Sequence, residues 1–298
     1  MKPFVKWAGG KSQLLPDIRK KYPTELGQSV NKYCEPFVGG GAVLFDVLSK
    51  YSVREVLIND INAELINTYA QIKTRLNELI AELTSMQERF WSSDIAKRKE
   101  YYYDKRERFN YLKVNRKVVG EEATILEKAA LFIFLNKTCF NGLFRVNKQG
   151  LFNVPVGAYK NPLICDKNNL DEISKLLQNV SVKCGDYKNC LDFIDGNTFV
   201  YIDPPYRPLT ETSGFTSYAE AGFGDAEQIE LGHFVDSAVG KGARVVVSNS
   251  DPKNSDDSDD FFDVLYSKYK IDRVNARRMI NCNSENRGSI SELLISNY

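Results

Sequence analysis

The chain has 298 residues, 43% hydrophobic and 27% charged, which is enough to bury a large core as one big or two modest domains with an ordinary globular make-up. Its net charge of +1 points to no partner, so any nucleic-acid site has to come from local clustering of Lys and Arg, and its one histidine, His233, excludes most His-dependent hydrolase and metalloprotease schemes. The six cysteines form no C-x-x-C pair, which argues against a disulfide framework or a zinc site, and no apolar run reaches about 18 residues, so the expectation is a cytoplasmic protein without metal.

Phe4 to Ser12 is the first informative stretch. Gly9 and Gly10 let backbone approach a ligand closely, with Trp7 and Lys11 on either side. It is not a phosphate loop, because the Gly-x4-Gly that should precede Lys-Ser is missing. Lys11 can instead pair a ligand carboxylate while Trp7 packs beside it. Lys32 to Val38, then Gly39-Gly40-Gly41, then Ala42 to Phe45 reads as strand, glycine turn and helix. The next strand, Val53 to Ile58, ends in Asn59-Asp60. This spacing is that of a nucleoside site, in which glycines admit the ligand and an acid at the second strand end takes ribose hydroxyls. Leu44 stands where the third glycine of the dinucleotide pattern belongs, which favours a cofactor lacking a pyrophosphate. S-adenosylmethionine fits that requirement. Asp60 also suits a helix N-cap.

From Asn62 to about Lys137 the apolar spacing is mostly helical. Within it, Ala96 to Lys117 interleaves Lys and Arg with Tyr, a pattern that serves phosphate contacts or a solvated helix face equally well. Phe140 to Asn147, the loop Lys148-Gln149-Gly150, and Leu151 to Pro155 read as a β-hairpin with a polar, basic tip. Such a ribbon can enter a DNA major groove or simply cover the helices.

After Pro162 the α/β alternation resumes, with helix Asn169–Leu177, strand Ser181–Cys184, and Gly185-Asp186-Tyr187 at the strand end. Thr198 to Ile202 is an apolar β-prone run that leads directly into Asp203-Pro204-Pro205-Tyr206. Arg207 to Gly222 is a long polar loop suited to a lid. Helix Ala226–Val239, strand Ala243–Val247, an acidic run at Asp256 to Asp260 taken as a helix start, and strands near Tyr269–Val274 and Glu292–Ser296 complete the chain.

The turn after Ile202 carries the most chemistry. The prolines have fixed φ and no N–H, so the turn is stiff and its carbonyls are expected to point outward unpaired. An exocyclic amine on adenine is a poor nucleophile because its lone pair is delocalised into the ring. The Asp203 carboxylate and the Pro204 carbonyl can hold both amino hydrogens, and Tyr206 can stack on the base face.

Taken together, Lys6-Trp7-Ala8-Gly9-Gly10-Lys11, Glu35-Pro36-Phe37-Val38-Gly39-Gly40-Gly41, Asn59-Asp60-Ile61-Asn62, Phe134-Leu135-Asn136 through Asn141-Gly142-Leu143, Phe152-Asn153-Val154-Pro155 and Asp203-Pro204-Pro205-Tyr206 resemble the motifs of the Dam-type DNA adenine methyltransferases of the α group, in the family order and over nearly the whole chain. The resemblance implies an α/β fold: a Rossmann-like S-adenosylmethionine-dependent methyltransferase sheet, residues 1–62 and 161–298, with an inserted, mainly helical target-recognition domain, 63–160, bearing the β-hairpin. It implies catalysis by Asp203, Pro204 and Tyr206 on N6 of an adenine flipped out of double-stranded DNA. S-adenosylmethionine is then bound by Trp7, Lys11, Phe37, Asp60, Asp186, Tyr187 and Asp203. Phe140 and Asn141 fall near the vacated base, Leu143, Arg145 and Pro155 where base edges are read, and Asn147 and Asn153 in the same DNA-binding set. The implied target is GATC, and a partner restriction endonuclease encoded separately is a further implied partner. Ala158 stands where many members carry an arginine, so one phosphate contact of the family pattern is missing or replaced, and Phe140 stands where some have tyrosine, which keeps the ring and loses the hydroxyl. A methyltransferase on RNA or a protein amide, and a DNA-binding regulator without turnover, are the alternatives.

Overall fold

The computed structural model describes residues 1–115, 121–207, 223–277 and 289–298. Among them the strands are β1 (Lys32–Glu35), β2 (Glu55–Asp60), β3 (Val180–Cys184), β4 (Thr198–Ile202), β5 (Arg244–Ser250), β6 (Lys270–Arg277) and β7 (Ser289–Ser296). They form a seven-stranded sheet in the order β3-β2-β1-β4-β5-β7-β6. β1 runs parallel to β2 and β4, and β4 parallel to β5, whereas β7 is antiparallel to both β5 and β6. All five residues of β4 are buried, as a parallel strand covered on both faces requires, and its sequence is accordingly an unbroken apolar run after Thr198. The α/β reading and its strand boundaries agree with this sheet to within a few residues.

Parallel pairing puts the carboxyl ends of β1, β4 and β5 at one edge. Successive strands run outward in one direction from β1 to β2 and in the other from β4 to β5, so the order reverses between β1 and β4. That reversal opens a crevice beyond the strand ends, where ligands of open α/β sheets bind. Phe37 follows β1 and Asp203 follows β4, so both stand at the switch point.

The chain divides into two compact units. One comprises Met1–Gly10, Gly39–Phe45 and Asp60–Gly185. After α1 (Leu15–Arg19) and α2 (Ala42–Lys50) in chain order, this unit holds α3 (Ala63–Thr74), α4 (Leu76–Ser92), α5 (Ile95–Val114), α6 (Glu121–Thr138) and α7 (Lys167–Leu177), and α3, α4 and α5 all pack on α6. Residues Ala129 to Asn136 of α6 are buried without interruption, so this helix is apolar all round because it is surrounded. The basic and aromatic stretch is α5. Two of its arginines serve the fold: Arg98 donates to the carbonyls of Trp91 and Ser93, and Arg108 pairs with Glu127 of α6 at 2.7 Å.

The other unit comprises Lys11–Val38, Asp46–Asn59 and Asp186–Tyr298. It holds α8 (Asp225–Gly240) and the short α9 (Phe261–Leu265), with a core of Val200, Ile202, Leu231, Val235, Val247 and Ile295. The acidic run leads into the start of α9, with Asp260 as its N-cap residue; ahead of it Asp256 accepts from Ser258 in a turn, and Asp259 pairs with Arg207 at 2.5 Å. From residue 208 onward the expected lid lies outside the described residues, as does Cys282. Among the described residues no helix is long and apolar enough to cross a membrane.

Candidate active site

β4 ends at Ile202, and the chain leaves the sheet as Asp203-Pro204-Pro205-Tyr206 in irregular backbone. The Asp203 carboxylate meets two donors. The Lys11 ammonium lies 2.9 Å from Oδ1, and the Ser248 hydroxyl, on β5, donates to the same oxygen at 3.0 Å. Tyr201 in turn donates to Ser248 at 3.1 Å from inside β4. Burial raises the Asp203 carboxyl above its ordinary value, the Lys11 ammonium pulls it back, and the second carboxylate nearby, Glu292, pushes it up again.

Lys11 opens a single 3-10 turn, Lys11–Gln13, and is only 4% exposed. Its ammonium stands 4.6 Å above the Tyr206 ring and donates to the Tyr206 hydroxyl. The Tyr206 hydroxyl donates to Oε2 of Glu292 at 2.7 Å, and Glu292 is 3.7 Å from Lys11. Burial, with Asp203 and Glu292 adjacent, raises the Tyr206 phenol well above its ordinary value, so it stays protonated and acts as a donor here.

The carbonyls of the turn are not both open, contrary to the expectation from proline geometry. Pro205 accepts from the side-chain amide of Gln228, on α8, at 3.1 Å. Gln228 is fully buried, and its own oxygen accepts from Asn249 of β5 at 3.1 Å. A side chain thus supplies what no backbone N–H could reach. Among the described residues the Pro204 carbonyl accepts no hydrogen bond. Gln228, Ser248 and Glu292 escaped the sequence reading. Glu292 had one signal, a charged residue inside an apolar β-run, while Gln228 had none.

On the same unit, the Phe37 ring packs 5.0 Å from Tyr187, and Phe223 sits edge-on to Phe37 at 6.1 Å. Tyr187 is buried, its hydroxyl has no partner among the described residues, and burial pushes it up to about 12. Asp186 is exposed and caps the short turn Tyr187–Cys190 by accepting from the Lys188 N–H at 2.8 Å.

On the first unit, Asp60 closes β2 and accepts from the Gly39 N–H at 3.0 Å and the Asn62 N–H at 2.9 Å. Asn62, not Asp60, caps α3, by accepting from Leu65. Burial raises the Asp60 carboxyl, and the backbone N–H groups oppose it. Gly39 has φ +47°, and a Cβ there would lie 2.8 Å from the Trp7 ring. Trp7 stacks on Phe144 at 5.9 Å and contacts Phe132 at 6.3 Å.

Residues 139–156 double back through isolated antiparallel bridges, Cys139–Val156 and Val146–Phe152, and not through a continuous ladder. Phe140–Gly142 is a 3-10 turn where a strand was expected, because Asn141 (φ +56°) and Gly142 (φ +66°) both take the left-handed region. Phe140 is 52% exposed, which is unusual for a phenylalanine. Leu143 is half-buried, and Arg145, Asn147 and Pro155 are exposed. The Arg145 Nε donates to Asn153 Oδ1 at 3.0 Å, and the η nitrogens have no hydrogen-bond partner among the described residues. The Asn147 oxygen accepts from the Gln149 and Leu151 N–H groups at 3.0 Å, so it holds the loop and only its amide nitrogen remains for another partner.

Comparison with known proteins bears on what these residues do. The family model described as D12 class N6 adenine-specific DNA methyltransferase matches residues 7–280. The chain is 48% identical to the Type II methyltransferase M.MjaIII of Methanocaldococcus jannaschii, covering 100% of this chain and 99% of that one. It is 38% identical to the Type II methyltransferase M1.LlaDCHI of Lactococcus lactis subsp. cremoris, over 100% and 96% of the two chains. With the DNA adenine methylase of Haemophilus influenzae the identity is 33%, over 98% and 92%.

Proposed function

The chain belongs to the D12 class of N6 adenine-specific DNA methyltransferases, and we propose that it transfers the methyl group of S-adenosylmethionine to N6 of an adenine flipped out of duplex DNA, with GATC as its target. The observation that carries this reading is the pair of acceptors at the end of β4. The Asp203 carboxylate is held at one oxygen by Lys11 and Ser248, and among the described residues the carbonyl of the next residue, Pro204, accepts no hydrogen bond. Two acceptors on one rigid turn can take both hydrogens of a planar amine, draw its lone pair out of conjugation and aim it. Tyr206, fixed at both its ring and its hydroxyl, supplies the face on which the base stacks.

The residues present suit the cofactor. The Asp60 carboxylate takes the Gly39 N–H at one oxygen and the Asn62 N–H at the other, with the Ile61 N–H also acting on it, and keeps lone-pair capacity for a ribose hydroxyl. The Phe37 ring, packed against Tyr187, offers a flat apolar surface for an adenine. Trp7, Lys11, Asp186 and Asp203 complete the set we assign to binding it. The cofactor, when bound, supplies an electrophilic sulfonium methyl, and the chain's own groups position the amine and accept its hydrogens without a covalent enzyme intermediate or a metal.

We assign target recognition to residues 63–160, with Phe140 and Asn141 near the vacated base and Leu143, Arg145, Asn147, Asn153 and Pro155 facing the DNA. The test is methyl transfer from labelled S-adenosylmethionine to duplexes containing GATC and to single-base variants of it. Label confined to the GATC adenine is the expected result. Label at another adenine keeps the enzyme and moves the target, and label on RNA or protein alone overturns the reading. The names of the two Type II relatives favour a role beside a restriction endonuclease over a solitary one.

A further inference from the structure

We infer that Glu292 is a positioning residue of the methyl-transfer site, holding Tyr206 and Lys11 in the arrangement that leaves Asp203 a strong acceptor. This inference rests on the reading of Asp203-Pro204-Pro205-Tyr206 as the catalytic turn. Glu292 lies on β7, opposite Ser250 of β5 and Val274 of β6. Alternation along the strand sends its neighbour Ser291 to the other face, where the hydroxyl meets Asp251 at 2.6 Å, and sends Glu292 to the face that carries Lys11. A carboxylate inside a sheet next to Leu293, Leu294 and Ile295 is costly unless it is paired. Here it is paired twice, by the Tyr206 hydroxyl at 2.7 Å and by the Lys11 ammonium at 3.7 Å.

The charges explain what the pairing does. One ammonium, Lys11, sits between two carboxylates, Asp203 at 2.9 Å and Glu292 at 3.7 Å, so the trio keeps a net charge of −1. With Glu292 neutral, the ammonium would face Asp203 alone, and the acceptor strength of Asp203 toward the amine would fall. The Tyr206 hydroxyl would lose its charged acceptor, and with it the restraint on the ring plane that meets the base. Both effects bear on the reacting amine and leave duplex contacts untouched. They should therefore appear in kcat and not in KM for duplex.

The experiment is a double-mutant cycle of Glu292→Gln and Tyr206→Phe, with kcat and KM measured for duplex and for S-adenosylmethionine. Each single change should lower kcat about tenfold with KM for duplex nearly constant, and the losses should not multiply in the double variant, because the two changes share the Tyr206–Glu292 contact. Parental kcat in Glu292→Gln, or losses that multiply in the double variant, would overturn the inference. Should Glu292→Gln fail to fold by circular dichroism, Tyr206→Phe decides alone, and parental kcat there overturns it. Absence of transfer by the parental protein sinks the enzymatic reading and this inference with it. Transfer by the parent with unaffected variants sinks this inference only.

Discussion

The amide of Gln228 donates to the carbonyl of Pro205 at 3.1 Å, and through it α8 holds the turn that follows β4. Two prolines in sequence stiffen a turn but remove the N–H groups that would anchor it. Gln228 restores one anchor from the side, with Asn249 fixing the amide in turn at 3.1 Å. Gln228→Leu should leave the Pro205 carbonyl and the Asn249 amide unsatisfied in the interior, at a cost of about 1–3 kcal/mol. Thermal unfolding should show it as a drop of roughly 2–4 °C per kcal/mol, together with a lower kcat. An unchanged midpoint would mean that water or relaxation replaces the amide.

Asp203→Ala removes one of the two acceptors and should lower methyl transfer by at least about a hundredfold. Binding of the methyl donor, followed by calorimetry, separates loss of chemistry from loss of the site. Near-parental transfer would remove Asp203 from the mechanism.

The acid limb of the rate follows from the same carboxyl. Asp203 must be ionised to accept, and its folded value is raised above the ordinary 3.8. Activity should therefore fall as pH drops through a value above 3.8, before unperturbed carboxylates protonate. The groups facing it are Lys11 from the N-terminal turn, Ser248 from β5, Glu292 from β7, and Tyr201 and Tyr206 on either side. Of these the lysine opposes the shift, and Glu292 adds to it. Asp203→Asn, whatever its residual rate, should lose this limb in a pH profile of kcat.

Arg145→Ala should relax discrimination at one base pair by about 1–3 kcal/mol, read from kcat/KM on single-base variants of the target. Asn153→Ala should give a weaker version of the same change, because Asn153 orients the guanidinium through Nε at 3.0 Å. A uniform loss over all duplexes would make Arg145 a phosphate contact.

Gly39→Ala tests the loop after β1. Its φ of +47° and the Trp7 ring 2.8 Å from the added Cβ both oppose the change. A loss of at least about 1–2 kcal/mol in denaturant unfolding is expected, with weaker binding of the methyl donor, since the Gly39 N–H also orients Asp60. Parental stability would show that Trp7 can move aside.

By itself the sequence determined the sheet strands, their order of appearance and the proline turn after β4. Apolar runs such as Phe199 to Ile202 and breakers such as Asp195-Gly196-Asn197 act over a few residues, and short-range sterics and periodicity are written locally. The family motifs placed Lys11, Asp60 and Asp203 for the same reason: Lys11 follows a pair of glycines, Asp60 ends β2, and Asp203 follows β4 and precedes two prolines. Only the tertiary structure decided what meets those residues. Lys11 and Asp203 are 192 positions apart, and Tyr206 and Glu292 are 86 apart. Their contact follows from sheet order and register, which no local pattern encodes. The same holds for Gln228, an unremarked polar residue on a helix until the fold sets it against a carbonyl that no backbone donor could reach. Residues 140–142 show the limit from the other side. Their apolar pattern reads as strand, but the left-handed backbone of Asn141 and Gly142, packed on Lys6 from the start of the chain, turns them into a 3-10 turn. That choice depends on a neighbour 136 positions away from Gly142, and tertiary packing made it.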